Sequence, residues 1–61
     1  MKITVKDGDV SFDAAGIAQA VHYAMCSTGK VKVIVRNGKT KEVVRYVDGE
    51  RVSCKISEVR P

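Results

Sequence analysis

The residues able to bind a metal or act as nucleophiles are few and scattered along the chain. His22 provides the one imidazole and lies four residues before Cys26, so a helix would place both on one side. A zinc site would need Cys54 as a further ligand, but no CxxC or HxxxH spacing accompanies these residues. We therefore expect no metal and no disulfide, with both cysteines reduced and buried as small apolar side chains.

Three aspartates near the N-terminus, Asp7, Asp9 and Asp13, have a spacing that can hold Mg²⁺. A turn already explains Asp7, and helix capping explains Asp13. His22 is the only imidazole that could activate a serine nucleophile, and no paired acidic motif accompanies it. The sequence also contains no Gly-rich phosphate loop. We expect a protein without catalytic residues or cofactor, and metal-assisted nuclease chemistry is the weakest of three hypotheses.

Positive charge is concentrated in the second half of the chain. Residues 1–29 have a net charge of −1, whereas residues 30–61 contain nine Lys or Arg against four acids, a net of +5. The candidate nucleic-acid-binding residues are Lys30, Lys32, Arg36, Lys39, Lys41 and Arg45. Such a cluster suits the nucleic-acid backbone or an acidic protein surface. The alternative is a solvated basic edge that prevents strand-to-strand aggregation.

The pairing of these cations depends on the turn between two strands. If a four-residue loop from Asn37 to Thr40 joins them, Lys32 pairs with Arg45, and Arg36 likewise pairs with Lys41. Like charges side by side destabilise the free protein. The same arrangement is favourable when a phosphate group lies opposite it. Tyr46 is the one aromatic near this patch, whereas sheets that bind single strands use two or three stacking aromatics. Backbone binding is therefore favoured over base recognition.

Turn dipeptides and alternating apolar residues predict five strands. Asp7-Gly8 is expected to close a hairpin over the first twelve residues, with Val5 opposite Val10. Asn37-Gly38 and Asp48-Gly49 divide the remainder into a three-stranded meander. With one intervening helix the order is ββαβββ. This predicts an α+β fold, an antiparallel sheet of a hairpin plus a three-stranded meander with one helix packed on one face, in a single domain over residues 1–61.

The segment from Ala14 to Gly29 has no charged side chain and predicts a helix that ends near Met25 or Cys26. Asp13 is the expected N-cap, and Gly29 is the expected stop. At 100° per residue, the side expected to lie on the sheet contains Ile17, Val21, Ala24, Ala14, Met25 and Ala18. The opposite side contains Gln19, His22, Tyr23 and Ser27.

Two uncharged surfaces indicate a partner. The outer side of the helix is polar but uncharged, and apolar residues occur on both faces of the meander. The alternatives are a solvated neutral helix face and exposed valines that reflect strand propensity. The candidate protein-interface residues are Gln19, Tyr23, Ile34, Val44 and Tyr46.

Together these features predict a small homo-oligomeric binding protein whose basic meander contacts the nucleic-acid backbone. In length and simplicity the chain resembles small single-domain proteins of phages and mobile elements, including anti-CRISPR inhibitors and small DNA-binding proteins. No residue motif carries that resemblance. The alternative function is therefore an inhibitor or adaptor of that type, which binds another protein. A cytoplasmic location without membrane contact is expected, because no signal peptide or apolar run of about 20 residues is present.

Overall fold

The computed structural model describes residues 1–58, which form one antiparallel sheet and one helix. The elements are β1 (Lys2–Asp7), β2 (Val10–Ala14), α1 (Ile17–Cys26), β3 (Lys30–Asn37), β4 (Thr40–Val47) and β5 (Glu50–Glu58). The strand order in the sheet is β2-β1-β3-β4-β5. The α+β class is confirmed. Within the described residues, no helix is long and apolar enough to cross a membrane.

The turn of the first hairpin is shifted by one residue, and each β1 residue pairs two residues further along β2 than predicted, so that prediction is wrong. Val10 lies opposite Asp7, and Phe12 lies opposite Val5. The turn is therefore Gly8-Asp9, with Gly8 at φ 61° and no positive φ at Asp9, as a type II′ turn requires. The shift places the Phe12 ring opposite the middle of β1, under the helix, and leaves Val10 60% exposed.

The two later turns agree better with the sequence. Asn37 pairs with Thr40 around a Gly38-Lys39 turn, which gives the predicted pairing of β3 with β4. The predicted Asp48-Gly49 turn is present, and both of its residues have positive φ, 52° and 84°, as in a type I′ turn. A bulge between Arg45 and Tyr46 then shifts the register of β4 with β5.

The core lies between α1 and one face of the sheet, which we call the inner face. Its buried residues are Ile3, Val5, Ala20, Ala24, Val31, Val33 and Tyr46. The helix contributes only alanines to this buried set, and their small side chains let its backbone approach the sheet closely. Ile17 and Met25, which were predicted to pack on the sheet, are instead 49% and 60% exposed. That prediction is wrong because the helix is rotated toward β2, where Tyr23 packs against Phe12.

The N-terminal end of the helix differs from the sequence expectation. Ala14 and Asp13 remain in β2, and Asp13 accepts a hydrogen bond from the Thr4 hydroxyl at 3.2 Å instead of capping the helix. Gly16 is the N-cap, and the side-chain oxygen of Gln19 accepts a hydrogen bond from the backbone N–H just before it. The helix ends at Cys26, as predicted.

Candidate nucleic-acid interface

The sheet face opposite α1 contains most of the positive charge, because alternate residues of each strand point to opposite sides. Where Ile3, Val5, Val31 and Val33 point toward the helix, their neighbours in sequence point away from it. We call this surface the basic face. In β1, β3 and β4 it contains Lys2, Thr4, Lys6, Lys30, Lys32, Ile34, Arg36, Lys41, Val43 and Arg45.

The cations of the basic face form two rows that run across the strands. One row consists of Lys6, Lys32 and Arg45, which are direct partners in the β1–β3 and β3–β4 ladders. The second row consists of Lys2, Arg36 and Lys41 in the same ladders. Partners in adjacent strands have Cα atoms roughly 5 Å apart, and rows separated by four residues lie roughly 13 Å apart.

An uncharged row separates the two cationic rows. Thr4, Ile34 and Val43 are partners across the same three strands, and each is half-buried. Lys55 of β5 lies at one end of this row, opposite Val43, and Asp13 lies at the other end, opposite Thr4. The basic face therefore has an apolar middle between two lines of positive charge.

Shallow depressions occur beside these rows, and each has at least two cations in its wall. One of about 360 Å³ is lined by Lys30, Lys32 and Arg45 together with the core residues Val31 and Tyr46. A second of about 330 Å³ contains Lys6. A third of about 230 Å³ is lined by Arg36 and Lys41 beside the β3–β4 turn. Their charge favours anions of the size of a phosphate group.

The structure brings together five of the six cations singled out in the sequence. Lys30, Lys32 and Arg36 of β3 share the face with Lys41 and Arg45 of β4, whereas Lys39 lies in the connecting turn. Sequence reasoning missed Lys2, Lys6 and Lys55. The pairing of β1 with β3 places the first two, and it joins strands separated by a hairpin and a helix. The sequence signal for Lys2 and Lys6 was their alternation with Ile3 and Val5, because alternate residues of a strand point to opposite faces.

The predicted protein-interface residues are divided between the two faces. Ile34 lies on the basic face, whereas Val44 and Tyr46 lie on the inner face, where Tyr46 is only 7% exposed. Gln19 is exposed on the helix. Tyr23 is not on the outer side of the helix as predicted; it is half-buried against the core.

Aromatic side chains are absent from the basic face. The chain contains one Phe, two Tyr and no Trp. Phe12 and Tyr23 form an edge-to-face pair with ring centroids 5.0 Å apart under the helix, and Tyr46 belongs to the core. The basic face therefore has no ring on which a base could stack.

Tyr23 is fixed by a carboxylate at the end of β1. Its hydroxyl donates a hydrogen bond to Asp7 Oδ2 at 2.8 Å. This hydrogen bond raises the pKa of Tyr23, because ionisation would break it and place two negative charges together; burial and the Asp7 charge add to the effect. Asp7 thus has a structural partner.

The two cysteines are free and exposed, so the prediction that they are buried is wrong. Cys26 Sγ lies 3.8 Å from His22 Nε2 on the exposed side of the helix. Cys54 is on β5, where its thiol donates to Glu42 Oε2 at 3.6 Å. Within residues 1–58, no three His, Cys, Asp or Glu side chains are grouped so as to hold a metal ion.

Comparison of the chain with protein-family models, with curated proteins and with solved structures found no significant match.

Proposed function

We propose that this chain is a small homo-oligomeric binding protein that contacts the phosphate backbone of nucleic acid through its basic face, without catalysis. The observation that supports this function is the pair of cationic rows, Lys6–Lys32–Arg45 and Lys2–Arg36–Lys41. Phosphates placed along such rows release condensed counterions, which favours binding at low salt.

The energetic cost of these rows supports a ligand of negative charge. Each row contains two directly opposed like-charge pairs, and such pairs are destabilising by up to about 1 kcal/mol each. A small domain has little stability to lose. A polyanion on the basic face would convert these repulsions into attractions.

The location of the cations argues against a role in blocking aggregation. Basic residues that prevent strand-to-strand association are expected on edge strands. Here the rows occupy β1, β3 and β4, which are the three inner strands of the sheet, and the edges are β2 and β5. Their side chains therefore project from the flat surface instead of guarding an edge.

The absence of aromatic residues from the basic face favours backbone contacts over base readout. Sheets that bind single strands through bases stack them on aromatic rings. Here the middle row offers only the aliphatic side chains of Ile34 and Val43. We therefore expect binding with little dependence on nucleotide sequence.

Fluorescence anisotropy with a labelled single strand and a labelled duplex tests this proposal. Lys32→Gln removes one positive charge from the centre of a row, and Gln19→Glu lowers the net charge equally on the helix, where the Oε1 acceptor for Ala15 N–H is kept. We expect weaker binding for Lys32→Gln and near wild-type binding for Gln19→Glu. Equal loss in both variants would indicate a nonspecific charge effect and contradict the proposal.

The inhibitor or adaptor alternative predicts contact through the helix. Its support is weaker, because Tyr23 packs on Phe12 and its hydroxyl is already bonded to Asp7. An acidic protein surface remains the other candidate partner for the basic face. Failure to bind either nucleic acid at low salt would direct attention to that partner.

A further inference from the structure

Strand β5 forms a long exposed edge of the sheet. It has nine residues, all of them exposed, and within residues 1–58 it pairs only with β4. Ile56 is 67% exposed, although it lies on the inner face with Cys54, and Val52 at the bulge is 56% exposed. Such an edge offers free backbone N–H and C=O groups and invites pairing with another strand.

We propose that a second copy of this chain occupies this edge, with the two β5 strands antiparallel and Cys54 opposite the partner's Cys54. This register also pairs Val52 with the partner's Ile56, and Ser53 with the partner's Lys55. Opposed residues then match in character through the middle of the strands, apolar with apolar and charged with neutral polar, and the like-charge pair of Glu50 with the partner's Glu58 falls at the strand ends. The segment from Ser53 to Glu58 pairs regularly with β4, whereas Val52 is the extra residue at the bulge.

Neighbouring registers are disfavoured by charge. Centring the pair on Ser53 places Arg51 opposite the partner's Lys55 and Glu50 opposite the partner's Ile56. Centring it on Lys55 places that lysine opposite the partner's Lys55. Like charges directly opposite each other are destabilising. The register centred on Cys54 is therefore favoured, because its like-charge pair lies at the strand ends and not in the middle.

The other edge is a poorer site for this contact. Strand β2 has only five residues, and one of them, Asp13, is engaged with Thr4. It therefore offers fewer backbone groups than β5. Pairing of β2 with β5 of another copy would be heterologous and would lead to a ring or an open filament. Symmetric β5 pairing gives a closed dimer.

The second copy also contributes a charge to the basic face. A two-fold axis perpendicular to the sheet keeps the two basic faces on the same side. Ser53 lies opposite Arg45, so the partner's Lys55 continues the row that contains Lys6, Lys32 and Arg45. This lengthening of the row rests on the proposed function, whereas the dimer itself is argued from β5 alone.

Cross-linking tests the register without nucleic acid. In a Cys26→Ser background, diamide should oxidise two Cys54 thiols to a disulfide, itself taking up the two electrons and two protons. Opposed residues have Cα atoms roughly 4.5–5.5 Å apart, within the range a disulfide spans. We expect a covalent dimer of Cys26→Ser and none of the double variant Cys26→Ser/Cys54→Ser. Absence of the Cys54-dependent dimer would overturn the register.

A matched pair of substitutions tests the edge. Ile56→Lys and Val10→Lys each place a lysine at an apolar site of similar exposure, on opposite edges of the sheet. Sedimentation should show a dimer dissociation constant raised about tenfold or more by Ile56→Lys, which removes two apolar cross-strand pairs, and little changed by Val10→Lys. Circular dichroism checks that both variants fold. A monomeric wild type, or equal effects, would overturn the proposal.

These results are independent of the proposed function. A dimer that binds no nucleic acid would keep the β5 interface and contradict the function of the basic face. A monomer that binds nucleic acid would support the function of the basic face and contradict the β5 interface.

Discussion

Lys32 lies directly opposite Arg45 in the β3–β4 ladder, and Lys6 lies opposite Lys32 on its other side. A lysine between two cations on a sheet opposes folding unless an anion neutralises the row. Stability of the free protein and affinity for a polyanion should therefore respond in opposite directions to changes at this position.

Substitution of Lys32 by Glu tests that opposition. The new carboxylate would face Lys6 and Arg45, replacing two repulsive pairs with attractive ones. We expect the free energy of unfolding in urea to rise by about 0.5–1 kcal/mol, because exposed pairs are weak. Nucleic-acid affinity should fall. A less stable protein with unchanged affinity would contradict this account.

Gly49 should be intolerant of a side chain, for two reasons. Its φ is 84°, and a Cβ there would lie 2.5 Å from the Met25 carbonyl oxygen near the end of α1. We expect Gly49→Ala to destabilise the fold by roughly 2 kcal/mol or more. Gly38→Ala is the matched control, with φ 60° and open space around its Cβ position. Equal costs in urea unfolding would show that contact with the helix is unimportant.

Buried alanines set the distance between helix and sheet. Ala24 is fully buried, whereas Ala18 is exposed on the same helix. We expect Ala24→Leu to cost about 1–3 kcal/mol through overpacking, and Ala18→Leu to have little effect. Thermal unfolding of the two variants measures the difference. Equal costs would restore the helix orientation predicted from the sequence, in which both alanines face the sheet.

The Tyr23–Asp7 hydrogen bond predicts a pH dependence at high pH. Because the folded pKa of Tyr23 is raised, the stabilisation is fully present below the ordinary tyrosine value of about 10 and is lost as pH rises through the raised pKa. Asp7→Asn removes the carboxylate, so the pKa should fall toward its ordinary value. The ζ-carbon NMR signal, assigned with Tyr23→Phe, reports this titration. An unchanged midpoint in Asp7→Asn would contradict the assigned cause.

Local patterns predicted the strands and part of the basic face. A loop from Asn37 to Thr40, one of the registers the sequence allowed, predicted the pairing of Lys32 with Arg45, and the structure has that loop. The register of the first hairpin was not predictable in this way. Asp7-Gly8 and Gly8-Asp9 both provide a glycine turn and both pair apolar residues, and the contact between Phe12 and Tyr23 accompanies the second.

The orientation of the helix and the full extent of the two cationic rows could not be predicted without knowledge of tertiary contacts. The hydrophobic pattern favoured burial of Ile17 and Met25, but close packing of Ala20 and Ala24 determined the face that meets the sheet. Lys6 joins Lys32 only because β1 pairs with β3, a contact between distant parts of the chain. Sequence periodicity contains no information on that pairing.

The measurement that tests the central claim most directly is the affinity of the wild-type protein for a labelled single strand across a series of salt concentrations. The account predicts that the logarithm of the association constant falls linearly with the logarithm of salt concentration. The slope should be about −2 if one row of three cations contacts phosphates and about −4 if both rows do. Absence of binding at low salt, or an affinity independent of salt, would contradict phosphate recognition by the basic face.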